Sequence, residues 1–250
     1  MNIKANMSGG RVRWKLVMGM LIFTVAFFGS GNTWAQSQPM KIGIIGTGRI
    51  GGALARHWVQ AGYEVFMSSR HPDELQPLAK ELGPRAQAGT PRAAAAFGQV
   101  ILISVPYKAT PEIGRDYAAE LAGKVVLDTG NPFERRDGPM AAAALKQGVG
   151  LASQDYLKGT RLVRAFNCIP AASLANDANR KPARIAIPIA SDDAGALKVA
   201  ERLIRDAGFD PVVVGSLKDA SLFELGHPLA SGKLSAAEME KKLKEVRSEE

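Results

Sequence analysis

The chain has 250 residues, of which 46% are hydrophobic and 22% charged, with a formal net charge of +8. That composition supports a packed core and excludes a disordered or low-complexity chain, while 26 Gly and 14 Pro without a period exclude a collagen-like one. One cysteine (Cys168) and three histidines (His57, His71, His227) exclude an intramolecular disulfide framework and leave little from which to build a metal site, so no metal is expected.

Residues 1–15 carry Lys4, Arg11, Arg13 and Lys15 and no acid, and residues 16–28 (LVMGMLIFTVAFF) form an uncharged apolar run. Small residues then lead to Ala35. This is the pattern of a secretory signal peptide over 1–35, too short in its apolar part for a comfortable span of about 20 residues. The expectation is export to the periplasm or membrane anchoring through this segment. A start at Met40 would instead leave the protein in the cytoplasm. Without these four charges the rest of the chain is only mildly basic. With no stripe of basic and aromatic residues, no nucleic-acid partner is expected.

From Met40 onward strand-like and helix-like segments alternate. KIGII (41–45) reads as a short buried strand, and RIGGALARHWVQA (49–61) has helical spacing and stops at Gly62. YEVFMSS (63–69) is a second strand. Pro72, Asp73 and Glu74 open a helix that runs to Gly83. Thr90-Pro91 supplies the N-cap and first residue of another helix. VILISVP (100–106) and VVLDTG (125–130) read as buried strands, with helices over 111–122 and 139–147. RLVRAFN (161–167), ARIAIPIA (183–190) and DPVVVG (210–215) are the remaining strands. An amphipathic helix spans 193–207, and two helices are expected near 217–230 and 235–248. Continuous apolar strands alternating with helices predict an α/β fold, a doubly wound, mostly parallel sheet covered on both faces. The division expected is a nucleotide-binding domain over 40–215 and a short helical C-terminal extension over 216–250.

Gly46-Thr47-Gly48-Arg49-Ile50-Gly51 is a G-x-G-x-x-G placed after the first strand and at the start of the first helix, the context that a dinucleotide-binding (Rossmann) fingerprint requires. Gly46 allows the tight turn, Gly48 lets the backbone approach a pyrophosphate, and Gly51 lets helix and strand pack closely. The helix N-terminus supplies free N–H groups. The second strand ends in Ser68-Ser69-Arg70-His71 rather than in the carboxylate that would accept from the ribose 2′-OH of NAD. Arg70 and Ser69 suit a 2′-phosphate, so NADP(H) is the expected cofactor. Later strand ends should flank the ribose and nicotinamide: Ser104, Val105, Pro106 and Tyr107, then Asp128 through Asn131 to Pro132, then Asn167 to Pro170. Each also reads as an ordinary strand-to-loop turn. Acid–base candidates are few. His57 and Cys168 read as core residues, and Asp128 reads as readily as a loop hydrogen-bonder. Reduction of a simple ketone needs a proton donor in reach, whereas hydride transfer to a flavin-like ring needs mainly stacking and distance.

KIGIIGTGRIGGALARHW, the Ser-Ser-Arg after the second strand and RAFNCIPAASLAN (164–176) resemble the coenzyme F-420:NADP oxidoreductases over about residues 40–230. The cytosolic domains of the six-transmembrane metalloreductases look similar. Pyrroline-5-carboxylate reductases resemble the first half only. The resemblance implies hydride transfer between NADPH and a flavin or deazaflavin (coenzyme F-420) acceptor, with no catalytic side chain in the transfer itself. Carried over by position, Thr47 to Ile50 (including Arg49) would hold the pyrophosphate and Ser69 and Arg70 the 2′-phosphate. The Val105-Pro106 turn and the stretch from Ala165 through Asn167 to Ile169 would border the nicotinamide. Glu74 stands where the family often has a further basic residue, and FELGHPLASGKL (223–234) departs from the family's end. Two other readings stay open: a non-catalytic NADP-binding sensor or interaction module, and a small-carbonyl reductase using Tyr107 or Asp128. The partner expected is a small-molecule hydride acceptor, and a homodimer is compatible with the fold.

Overall fold

A computed structural model describes residues 39–230 and 232–249. The signal-peptide segment expected over 1–35 lies outside the described residues. Among those described, no helix is long and apolar enough to cross a membrane.

The chain builds one eight-stranded sheet. β1 (Lys41–Ile45) leads into α1 (Arg49–Gln60), and β2 (Glu64–Ser68) follows the Gly62 turn. The expected helix from Pro72 begins as a 3-10 turn, Pro72–Leu75, and becomes α-helical only over α2 (Gln76–Leu82). β3 (Ala86–Gly89) is a strand that the sequence reading missed, because AQAG carries no branched or aromatic residue. α3 (Pro91–Phe97) starts as expected, with the Thr90 hydroxyl accepting from Ala93 N at 3.2 Å.

β4 (Val100–Ile103) and β5 (Val125–Asp128) are buried along their whole length. The helix expected over 111–122 is two pieces, α4 (Thr110–Asp116) and α5 (Ala118–Leu121), broken at Tyr117. After β5 come a single turn, α6 (Glu134–Asp137), then α7 (Pro139–Gln147) and α8 (Val149–Tyr156). β6 (Arg161–Arg164) ends earlier than expected because Phe166 takes a left-handed backbone, φ 60°. A short α9 (Ala171–Asn176), β7 (Ala186–Ala190), α10 (Ala194–Asp206) and β8 (Asp210–Gly215) complete the sheet. The expected helix near 217–230 is only a 3-10 segment, Leu217–Phe223, followed by irregular chain. The last helix, α11 (Ala236–Ser248), is present.

The strand order is β3-β2-β1-β4-β5-β6-β7-β8. The first six strands are parallel in the order 3-2-1-4-5-6 of a dinucleotide-binding sheet, β7 meets β6 antiparallel, and β8 pairs parallel with β7. Alternate strand residues feed two cores. Ile42, Ile44, Leu102, Leu127 and Val163 pack with Leu54, Trp58 and Leu203 on one face. Ile45, Ile101, Val126 and Leu162 pack with Ala95, Ile113 and Leu217 on the other. Trp58 Nε1 donates to Leu203 O at 2.9 Å, so α1 and α10 are joined by a buried hydrogen bond as well as by apolar contact. α11 closes a third cluster, with Met239 and Leu243 against Val212 and Val214 of β8.

The strand order reverses between β1 and β4, which is where a doubly wound sheet opens a crevice at its carboxyl edge. α3 packs beside this point, and its start depends on the Thr90 cap. Thr90→Ala is expected to lower the unfolding free energy by about 1 kcal/mol, and Thr90→Ser by much less, as read from urea denaturation midpoints.

Candidate functional site

The fingerprint turn is built as its three glycines predict. Gly46 has φ 95°, and a Cβ there would lie 2.3 Å from the Ser104 carbonyl and 2.6 Å from Val105 Cγ1. Only glycine fits, and the turn is thereby packed against the end of β4. A Cβ at Gly51 would lie 2.4 Å from the Gly46 carbonyl, so α1 cannot approach β1 this closely with any side chain there. Gly48 is the opposite case. It is exposed, and a Cβ would meet nothing within 4 Å. Space is therefore kept open over the backbone at the helix start.

Gly48 is the N-cap of α1, in an extended conformation, with no side chain capping the helix. The amide of Gly52 donates back to Gly48 O at 2.8 Å, and the amides before it have no carbonyl one turn back in the helix. The turn itself is anchored. The amides of Gly46 and Thr47 donate to Ser68 O at 3.1 and 2.9 Å, and Ser68 N donates to Thr47 Oγ1 at 3.1 Å. Ser68 Oγ is spent on Ile44 O at 2.7 Å. An open, uncapped helix start beside exposed Arg49 and half-buried Ile50 fits an anionic phosphate group.

At the end of β2, Ser69 Oγ accepts from His71 N at 3.0 Å, which leaves the hydroxyl proton free to donate outward. Arg70 is exposed. Asp73 and Glu74 lie beyond it, in the 3-10 turn.

The other predicted residues come to the same carboxyl edge. Ser104 N donates to Ile45 O at 2.9 Å, and half-buried Val105 and exposed Pro106 follow beside the glycine turn. Asn131 Nδ2 donates to Asn167 O at 2.7 Å, joining the loops after β5 and β6. Asn167 is buried, its Nδ2 donating to Phe223 O at 3.1 Å. Ala165 and Ile169 are placed differently from a cleft lining. Their side chains lie in the hydrophobic core, backing the loop rather than facing solvent.

Two features behind the edge were not legible in the sequence. Asp128 and Arg164 are register partners in β5 and β6, both fully buried, with Arg164 Nη1 2.8 Å from Asp128 Oδ2. Asp128 Oδ1 also accepts from Gly130 N at 2.8 Å, so the ion pair shapes the turn that leads to Asn131. The available signal was one acid and one base at matching ends of adjacent apolar strands. Asp137 is the second feature. Its carboxylate accepts from Phe133 N at 2.9 Å and from Arg136 Nε and Nη2 at 2.8 Å, and the Arg136 guanidinium holds its pKa below the usual range. Arg136 Nη2 in turn donates to Asn131 O at 2.6 Å.

The acid–base candidates are interior or engaged elsewhere. Tyr107 is fully buried, its hydroxyl 3.1 Å from Ser153 Oγ, and burial pushes the phenol pKa well up. Burial raises the Cys168 thiol to about 12, so it stays protonated and non-nucleophilic at neutral pH. His57 Nε2 lies 2.8 Å from Leu174 O, tying α1 to α9. His227 is exposed. Among the described residues, no group of His, Cys, Asp and Glu could hold a metal ion.

The fold and this edge define a dinucleotide-binding protein of the doubly wound α/β class. Residues 41–132 match the model of the family described as NADP oxidoreductase, coenzyme F420-dependent. Metalloreductase STEAP3 of Rattus norvegicus is 28% identical over 186 residues, covering 73% of this chain and 35% of its own length. The chain thus spans about a third of that relative. A hypothetical protein from Sinorhizobium meliloti superposes with a TM-score of 0.69 at 26% identity, covering 80% of this chain and 97% of the other. An imine reductase from Myxococcus stipitatus in complex with NADP+ shares the fold with a TM-score of 0.55 at 20% identity, covering 84% and 62%.

The Asp128–Arg164 pair yields a direct test. Asp128→Ala leaves a buried guanidinium uncompensated and is expected to cost about 3–5 kcal/mol in denaturant unfolding. Replacing both residues by leucine is expected to cost less than the single change, since no buried charge is then left alone.

Proposed function

We propose that the chain binds NADPH across the carboxyl edge of its sheet and passes hydride between the nicotinamide and a flavin-like or deazaflavin acceptor. The observation that carries this reading is the open space over Gly48 at an uncapped helix start, with Ser69 and Arg70 at the next strand end. In it, backbone amides from Gly48 onward bind the pyrophosphate, rather than from Thr47 as expected, because Thr47 N is already spent on Ser68 O. Arg70 pairs with the 2′-phosphate and Ser69 donates to it. A carboxylate at the strand tip would repel that phosphate, and the nearest acids, Asp73 and Glu74, are displaced into the 3-10 turn.

When held there, NADPH would supply a hydride to the acceptor ring, which would take the accompanying proton from solvent, leaving NADP+. The chain's own part is to bind, orient and exclude water. The loops after β4, β5 and β6 border the ring, and the buried pair beneath them holds their spacing. Burial of Tyr107 and Asp128 speaks against a carbonyl reductase that uses either as its proton donor. The resemblance to F420-dependent oxidoreductases over 41–132 supports a planar acceptor.

Arg70→Ala is expected to weaken NADPH binding by about 10–100-fold while leaving NADH unchanged, as measured by nicotinamide fluorescence titration. Equal loss for both nucleotides would remove Arg70 from the 2′-phosphate. NADPH oxidation is then measured with FMN, riboflavin and coenzyme F420. Turnover with at least one of them is expected, and tight NADPH binding without turnover on any would favour a sensor or interaction module.

A further inference from the structure

The side-chain amide of Asn131 is oriented by its own hydrogen bonding. Its Nδ2 donates to the Asn167 carbonyl at 2.7 Å. A carbonyl oxygen only accepts, so the nitrogen must face Asn167 and Oδ1 is turned away from it. No donor among the described residues meets that oxygen, and the residue is half-buried, so it is reachable. The backbone is held as well: Asn131 O accepts from Arg136 Nη2, and Arg136 is fixed on the buried Asp137. Beneath it, Asn167 Nδ2 is committed to Phe223 O, and Asn167 Oδ1 is buried without a partner.

This corner of the edge thus holds two acceptors without a donor, Asn131 Oδ1 and the buried Asn167 Oδ1, while the unpartnered donors beside them, Arg164 Nε and Nη2, are fully buried. The reachable Asn131 oxygen selects a group that brings N–H. Asn131 stands three residues past the end of β5, between the ends of β4 and β6, on the opposite side of the β1 switch point from Arg70. A dinucleotide laid across the edge from Arg70 through Gly48 ends there with its nicotinamide, whose carboxamide carries two N–H donors.

The geometry points to Asn131 Oδ1 as the acceptor for the nicotinamide carboxamide N–H, which makes Asn131 the residue that fixes the orientation of the ring and hence the face it offers. This rests on the NADPH reading above and adds a specificity that reading does not contain. The carboxamide is bound through its nitrogen, and a pyridine ring bearing a substituent without N–H is discriminated against.

The test is calorimetric titration of the full chain with three probes: NADP+, its 3-acetylpyridine analogue, in which a methyl replaces the NH2, and 2′,5′-ADP, which has no nicotinamide. Wild-type protein is expected to bind the acetyl analogue about 2–10-fold more weakly than NADP+. In Asn131→Ala this ratio is expected to fall to about 1, with 2′,5′-ADP affinity unchanged. A merely structural role for Asn131 would weaken NADP+ and the analogue together and leave the ratio as in wild type, which would overturn the inference. Asn131→Ser is the second variant if the alanine protein does not fold, and the wild-type ratio needs no variant. Equal wild-type affinities for NADP+ and the analogue would also overturn it, with the NADPH reading intact so long as 2′,5′-ADP binds. Failure of all three probes to bind would instead overturn the NADPH reading itself.

Discussion

The site depends on how closely the chain passes itself at the turn between β1 and α1. A Cβ at Gly46 would lie 2.3 Å from the Ser104 carbonyl oxygen and one at Gly51 2.4 Å from the Gly46 carbonyl oxygen, so neither position admits a side chain. These two contacts set α1 against the sheet with its first turn at the carboxyl edge. They also bring the end of β4 against the turn, so the Val105-Pro106 segment shares a wall with the glycine loop. Gly48, between them, is the one position of the three where a side chain would have room, and that room lies on the solvent side. The sequence thus has glycine for two different reasons within six residues: to let backbone meet backbone, and to leave backbone open to a ligand.

The far half of the edge is ordered by charge rather than by glycine. Asp128 and Arg164 lie side by side on neighbouring strands, removed from water, and each leaves its strand at this point. Such a pair adds little net stability over a well-packed apolar one, because desolvation opposes the attraction. What it does here is geometric. Asp128 accepts from Gly130 and turns the loop toward Asn131, which reaches the Asn167 carbonyl, and Asn167 reaches Phe223. Loops after two strands and the 3-10 segment before the C-terminal helix are joined in one run of hydrogen bonds. The left-handed Phe166, fully buried against Trp58 with ring centroids 6.4 Å apart, is held within it.

Much of this was legible in the residues. The buried strands are continuous apolar runs, and their alternation with helices marks a mostly parallel sheet covered on both faces. The Thr90-Pro91 start and the G-x-G-x-x-G are local signals, complete within a few residues. What escaped was either weakly marked or long-range. β3 is AQAG, whose pairing with β2 supplies what its composition does not. The segment 217–230 carries helical composition, but its Ser216–Asp219 capping box opens only a 3-10 segment and the chain leaves it at Glu224. Asp128 and Arg164 are 36 positions apart, and their meeting follows from the register of β5 on β6, which no periodicity reveals. Asp137 was unremarkable in sequence because it acts by collecting donors, from Phe133 and Arg136 in its own loop and from Lys108 after β4.

The central claim is that this edge recognises a 2′-phosphorylated dinucleotide. Its most direct measurement is a fluorescence titration of the full chain with NADPH and with NADH. The account predicts saturable NADPH binding in the micromolar range, with NADH weaker by about tenfold or more. Equal affinity for the two would contradict the assignment of Ser69 and Arg70, and no binding of either would contradict the reading of the glycine turn as a pyrophosphate site.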